Sequence, residues 1–157
     1  MEHKIEYVEN DLVRIAKREN NIRRKYLVVN PLQGKHVPVV PSKALKLFTD
    51  LADVFRNEYK NEKLLLVGFA ETATAIGAQA AISVGAKYIQ TTREVIPNVE
   101  YLFFSEEHSH ATEQKLVKDD IDSIADEIDR IVFVEDEVTT GNTILNIINI
   151  LDREYTG

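Results

Sequence analysis

Two adjacent carboxylates, Glu135 and Asp136, follow the apolar run Ile131-Val-Phe-Val134 and shortly precede Thr139-Thr140-Gly141-Asn142-Thr143. The apolar run reads as a strand buried on both faces of a parallel sheet. Such a strand delivers both acids to the carboxyl edge, where ligands of open α/β sheets bind. The turn that follows opens directly into a helix, so its free N–H groups and the positive end of the helix dipole suit a phosphate. The hydroxyls of Thr139, Thr140 and Thr143 are further donors, and Gly141 lets the backbone come close. Paired carboxylates would repel the phosphate itself. They suit the vicinal hydroxyls of a ribose, whose hydrogen bonds they accept, and can hold a nearby metal indirectly. Together these groups describe a site for a sugar phosphate. The plainer alternative is a strand end with an acidic loop and a threonine cap. The apolar residues before the acids and the Thr-Thr-Gly-x-Thr run after them count against it.

Elements that position these groups can be read along the 157 residues, a length that suits one compact domain spanning 1–157. Ile5, Val8, Leu12 and Ile15 recur at helical spacing and predict an N-terminal amphipathic helix to about Glu19. Tyr26–Val29 is a short strand, the turn-prone Asn30-Pro31 and Gly34 follow, and His36–Val40 alternates as a further strand or hairpin arm. Ser42 is the expected N-cap of a helix carrying Leu45, Leu47, Phe48, Leu51, Ala52 and Phe55. Leu64–Val67 is a buried strand ending at Gly68, and Thr72–Val84 is a small-residue helix closed by Gly85. Lys87–Thr91 and Glu100–Phe104 read as strands, Ser105–Gln114 as a loop, and Asp122–Ile128 as a short helix. Arg130–Val134 is the clearest buried strand. Thr143–Asp152 is a helix with Ile144, Ile147, Ile148 and Leu151 on one face. Strand then helix repeats, which predicts an α/β fold with a parallel sheet.

Composition narrows the chemistry. Cysteine is absent, so disulfides, zinc thiolates and thiol nucleophiles are excluded. The formal net charge of −7 disfavours nucleic acid as a partner, which calls for a basic excess. The basic cluster of Lys17-Arg18 and Arg23-Arg24-Lys25 reads as a solvated face. No apolar run approaches the roughly 18 residues of a membrane span. Met1-Glu-His-Lys lacks the layout of a secretory signal, so no membrane partner and a cytoplasmic location are the default expectations.

The segment Ile131–Thr143 resembles the phosphoribosyl pyrophosphate (PRPP) signature of type I phosphoribosyltransferases. That signature is an apolar strand, two acids, two variable residues, then two small or hydroxyl residues, glycine, any residue and threonine. A Walker-type loop is no competitor, since Gly-Lys-[Ser/Thr] does not occur. The resemblance implies a three-layer fold with a central parallel sheet and a small N-terminal hood. It also implies that Glu135 and Asp136 hold the ribose 2- and 3-hydroxyls, and that Val138, Thr139, Thr140, Gly141, Asn142 and Thr143 receive the 5-phosphate.

Other segments fall in the order of the orotate-type subgroup. Tyr26–Val40 (YLVVNPLQGKHVPVV) looks like its hood, with Lys35 directed at pyrophosphate or acceptor; a solvated turn lysine is the alternative. Val67–Gly77 (VGFAETATAIG) sits where the family joins a strand to its pyrophosphate turn, so Ala70, Glu71, Thr72 and Ala73 would offer backbone N–H groups. Many members carry a basic residue or second glycine where this chain has Glu71, and Glu71-Thr72 also reads as a plain helix start. Thr91-Thr92-Arg93 matches a position that often brings a basic residue to PRPP, and Ser105–Thr112 (SEEHSHAT) occupies the place of the mobile catalytic loop, so that Arg93, His108 and His110, with Lys35, would neutralise the departing pyrophosphate. His108 and His110 read alternatively as solvated, or as a metal pair that lacks further ligands. The whole series looks closest to phosphoribosyltransferase-like proteins encoded near tellurite-resistance gene clusters.

The resemblance implies a PRPP-dependent glycosyltransferase of nucleotide metabolism that displaces pyrophosphate from ribose carbon 1 with a nitrogen nucleophile. Mg²⁺ would be carried by PRPP rather than by a protein metal site. Asp136, Glu135, His108, His110, Arg93 and Lys35 are the catalytic candidates, the partners are PRPP and a small-molecule acceptor, and a homodimer is expected. Purine-salvage members place an Asp where Thr139 stands, which argues against that class. Orotate-type members continue into another strand after the motif helix, so either the domain is truncated there, a partner completes the pocket, or the acceptor binds differently. A catalytically silent PRPP- or nucleotide-binding module is the rival expectation.

Overall fold

A computed structural model describes residues 7–19, 25–35, 37–104 and 114–155. Its elements are α1 (Glu9–Leu12), β1 (Arg14–Lys17), β2 (Tyr26–Val29), α2 (Pro41–Arg56), β3 (Leu64–Gly68), α3 (Thr74–Val84), β4 (Lys87–Gln90), β5 (Tyr101–Phe103), β6 (Lys115–Val117), α4 (Lys118–Asp122), β7 (Arg130–Val134) and α5 (Asn142–Tyr155). A short 3₁₀ turn, Ala125–Glu127, separates α4 from β7.

The centre is a parallel sheet in the order β4-β3-β7. Every residue of β3 is buried, as the continuous apolar run requires of a middle strand. Alternation then sorts its side chains. Leu64 and Leu66 pack with Ala44, Phe48 and Ala52 of α2 and with Ile76, Ala80 and Ala81 of α3. Leu65 and Val67 face the other way, onto Leu102, Leu116, Ile121, Ile147 and Leu151. Helices on both faces of the sheet make three layers, the predicted α/β architecture.

Close approach fixes α3 on the sheet. A Cβ at Gly77 would stand 2.8 Å from Tyr88 Cε2 and 3.2 Å from the Cα of Gly68, so only a bare backbone passes there. The Tyr88 hydroxyl then donates to the Thr74 carbonyl at 2.9 Å. At the amino ends of the strands, Arg130 binds Glu62 with two nitrogens, at 2.5 and 3.1 Å, and lies over the Tyr59 ring. Two antiparallel pairs flank the centre, β1 with β2 and β5 with β6.

Several sequence expectations are corrected. Among the described residues, the predicted N-terminal helix is one turn, α1, and Arg14–Lys17 is a strand paired with Tyr26–Val29. The described residues of His36–Val40 form no strand, and His36 lies outside them. Helix α2 begins at Pro41 with Val40 as N-cap, because the fixed φ of proline already suits the first helical position. Ser42 is therefore not the cap. The helix expected over Asp122–Ile128 is instead α4 followed by the 3₁₀ turn, and β6 lies where the loop was expected to end.

Candidate active site at the carboxyl edge of the sheet

Strand β7 runs Glu135 and Asp136 out of the carboxyl edge, next to the end of β3. The N–H of Phe69 donates to the Val134 carbonyl at 3.0 Å, so both strand exits open side by side. The Asp136 N–H donates to Glu135 Oε1 at 2.9 Å, which fixes the Glu135 side chain against its own backbone. From the turn after β2, the Lys35 ammonium reaches Asp136 Oδ2 at 2.6 Å. The Asp136 side chain is only 10% exposed, whereas that of Lys35 is 32% exposed.

These contacts divide one proton unequally between two acids. Burial, then the hydrogen bond with Asp136, pushes the Glu135 carboxyl up to about 7. Burial also works to raise Asp136, but the hydrogen bond with Glu135 and the Lys35 ammonium outweigh it and hold that carboxyl below its usual value. The pair titrates as a unit, with Asp136 the ionised member near neutrality. Ionised Asp136 is a strong acceptor for a hydroxyl, and Glu135 gives or takes a proton within the physiological range.

Beyond the acids, Val138, Thr139, Thr140, Asn142 and Thr143 are exposed around Gly141, which sits at φ 78°. A left-handed residue there reverses the chain into α5, and glycine adopts it without steric cost. The Asn142 N–H turns back to Thr140 Oγ1 at 3.3 Å. Exposed threonine side chains and the start of α5 thus lie beside the acids, the arrangement an anion needs.

The turn between β3 and α3 is held differently from the sequence expectation. The Ala70 N–H donates to Thr91 Oγ1 at 2.8 Å, and its carbonyl accepts from Gln114 Nε2 at 2.6 Å. Thr91 and Gln114 also bond to each other, which closes the ring. The Ala73 N–H is spent on the Phe69 carbonyl at 3.0 Å. Ala70 and Ala73 therefore do not present open amides. Glu71 and Thr72, on the solvent side of the turn, have no backbone N–H partner among the described residues. The Ala70–Glu71 peptide is cis.

Of the remaining candidates, Arg93 is exposed and makes no hydrogen bond or ion pair among the described residues, so it does not join Lys35 and the acids. His108 and His110 lie outside the described residues. Sequence reasoning missed Thr91 and Gln114. The usable signal was Thr91 itself: a polar residue at the end of an apolar strand is buried only with partners. A cavity of about 280 Å³ is bounded by Leu12, Val28, Gln33, Lys35, Asp136 and Glu137, beneath the β1–β2 pair. A larger one, about 760 Å³, lies at the amino end of β7 against α5, away from the acids. Among the described residues no helix is long and apolar enough to cross a membrane.

Known structures share this arrangement of elements. The adenine phosphoribosyltransferase of Rhodothermus marinus aligns with a TM-score of 0.60 at 16% identity, covering 92% of this chain and 76% of that one. The Trypanosoma brucei enzyme, solved with AMP, pyrophosphate and ribose-5-phosphate, aligns with a TM-score of 0.60 at 16% identity, covering 90% of this chain and 58% of that one. The Leishmania tarentolae enzyme aligns at 0.55 and 13% identity, covering 91% of this chain and 65% of that one. The chain thus spans less than two thirds of the latter two, and at these identities the likeness is one of fold. No curated protein matches the chain. The family model described as phosphoribosyl transferase matches residues 12–157, from before β1 through α5. The chain belongs to the phosphoribosyl transferase family, a family of glycosyl-transferring enzymes.

Proposed function

We propose that this single domain transfers ribose 5-phosphate from PRPP to a ring nitrogen of a nucleobase-like acceptor and releases pyrophosphate. The observation that carries the reading is the Glu135–Asp136 pair, with Asp136 neutralised by Lys35, beside the open Thr139–Thr143 turn. In this reading Asp136 and Glu135 accept the ribose hydroxyls, and Val138 to Thr143 surround the 5-phosphate. Glu71 and Thr72 face the pyrophosphate, and Lys35 moves from Asp136 to the leaving group once the hydroxyls replace it. Arg93, His108 and His110 remain candidates for the same leaving charge. Bond breaking at carbon 1 builds positive charge on the sugar and negative charge on the diphosphate, so positioned donors and cations lower the barrier.

Mg²⁺ suits this site as a companion of PRPP. Among the described residues no cluster of three or more acidic or histidine side chains forms a cage. Magnesium in phosphate chemistry commonly takes one or two carboxylates and draws its other oxygens from substrate and water. Glu135 and Asp136 would hold such an ion, which would supply charge neutralisation at the diphosphate. The cavity beneath the β1–β2 pair supports a flat acceptor stacked near Lys35, and an orotate-type base belongs to this class. A homodimer working in the cytoplasm completes the reading.

One observation favours the alternative of a silent PRPP-binding module: Glu71, a carboxylate, stands in the turn assigned to the diphosphate. Pyrophosphate release from PRPP and Mg²⁺ across a panel of bases separates the two. Turnover with any base supports the transferase. PRPP binding without turnover supports the module, and no PRPP binding, or binding indifferent to Asp136→Asn, sinks both.

A further inference from the structure

The ring joining Ala70, Thr91 and Gln114 does more than fill space. Thr91 is fully buried, and it grips the chain on both sides of Phe69. Its N–H donates to the Gly68 carbonyl at 2.9 Å, while its hydroxyl accepts the Ala70 N–H at 2.8 Å. The neighbouring Thr92 exchanges two backbone hydrogen bonds with Lys115, at 2.8 and 3.0 Å, which sets Gln114 beside Thr91. The Gln114 amide then uses both of its ends: the nitrogen donates to Ala70, and the oxygen accepts from the Thr91 hydroxyl. Ala70 is thus saturated at N–H and at C=O by two side chains from distant parts of the sequence.

We infer that Thr91 and Gln114 are positioning residues which hold the Ala70–Ala73 turn so that the N–H groups of Glu71 and Thr72 alone receive a diphosphate. The inference rests on the PRPP reading above and deepens it at the leaving-group side. Four amides are available by sequence in this turn. Two of them, at Ala70 and Ala73, are spent on Thr91 Oγ1 and the Phe69 carbonyl, and the two between them, in the turn that leads into α3, have no partner among the described residues. An amide at the start of a helix binds anions when it is aimed, not merely present. Aim here depends on the peptide on either side of Ala70 being held, and the two side chains hold both. If the hydroxyl is removed, the Ala70 N–H and the Gln114 oxygen lose their partner in a buried place, and the turn is free to rotate toward other donors. The ribose 5-phosphate turn at Thr139–Thr143 shares none of these contacts.

Titration of the full chain with inorganic pyrophosphate plus Mg²⁺, and separately with ribose 5-phosphate, tests this. We expect Thr91→Val and Gln114→Leu to weaken pyrophosphate at least tenfold and to leave ribose 5-phosphate within about twofold. Thr91→Ser keeps the hydroxyl and is expected to restore pyrophosphate binding to within about threefold. If the valine variant does not fold, the serine and leucine variants and the wild-type amide spectrum still decide. In that spectrum pyrophosphate is expected to shift the Glu71 and Thr72 N–H resonances more than those of Ala70 and Ala73. Equal loss of both ligands in a folded variant, no loss of pyrophosphate, or largest shifts at Ala70 and Ala73 would overturn the inference. A wild-type chain that binds ribose 5-phosphate but not pyrophosphate also overturns it while sparing the sugar-phosphate site. Failure to bind either ligand overturns the PRPP reading as well.

Discussion

The Lys35 ammonium lies 2.6 Å from Asp136 Oδ2, across 101 residues of sequence. The contact joins the turn after β2 to the acid at the end of β7, and it neutralises the more ionised carboxylate of the pair. Lys35→Ala is expected to lower kcat/KM for PRPP at least tenfold. It should cost only about 1 kcal/mol of stability, since the lysine end of the pair is open to water. Pyrophosphate release and thermal melts measure the two. Unchanged turnover would show that the ion pair is only a tether.

Glu135 carries a pH dependence of definite sign. Its carboxyl is raised in the folded protein from 4.5 to about 7, so it stabilises the fold in its protonated form. That contribution is full below pH 4.5 and is lost as pH rises through about 7. Glu135→Gln keeps a neutral side chain throughout. It should match the wild type in acid and exceed it above neutrality by about 1–2 kcal/mol, discounted for partial solvation. Melts at intervals from pH 4 to 8 test this, and parallel stability curves would refute it. Asp136 acts in the opposite sense: its lowered carboxyl stabilises above its ordinary value of 3.8, and that contribution is lost in stronger acid.

Gly141→Ala separates backbone shape from steric fit. A Cβ there meets nothing nearer than Val138 Cγ1 at 4.0 Å, so the penalty comes from φ 78° alone. A cost of about 1–2 kcal/mol follows, together with weaker binding of ribose 5-phosphate as the turn relaxes. Calorimetric titration with ribose 5-phosphate reads the second effect. Unaltered affinity would remove this turn from the proposed phosphate site.

Gly77→Ala probes the seat of α3 on the sheet. Its Cβ would press on Tyr88 at 2.8 Å and on the Gly68 backbone at 3.2 Å, with an expected cost of about 1–3 kcal/mol. Part of that cost should vanish in a Tyr88→Leu background, because the two positions share one contact. Additive losses in a double-mutant cycle would contradict the packing.

The sequence showed the centre of this fold more clearly than its margins. Leu64–Gly68 and Arg130–Val134 were readable because a strand covered on both faces must be continuously apolar. The N-terminal segment misled because Val8, Leu12 and Ile15 keep helical spacing without a helical core behind them. Ile15 is 74% exposed in a strand that owes its existence to Tyr26–Val29. Lys115–Val117 was missed because three residues after a polar stretch carry too little pattern, and only pairing with Tyr101–Phe103 makes them a strand. At the site, the carboxylates and the Thr-Thr-Gly turn were legible as a local motif. The inward turn of the Ala70 and Ala73 amides was not, since it depends on Thr91, Gln114 and the Phe69 carbonyl converging in space.

The β1–β2 pair sits at the edge of the molecule, and most of its side chains are exposed. The central sheet has its own core on each face, whereas Lys35 reaches Asp136 only when residues 26–35 are docked. Loss of the docked segment would therefore open the site below the threshold of global unfolding. In a urea titration, activity should fade at concentrations where the helical signal of α2, α3 and α5 is still intact.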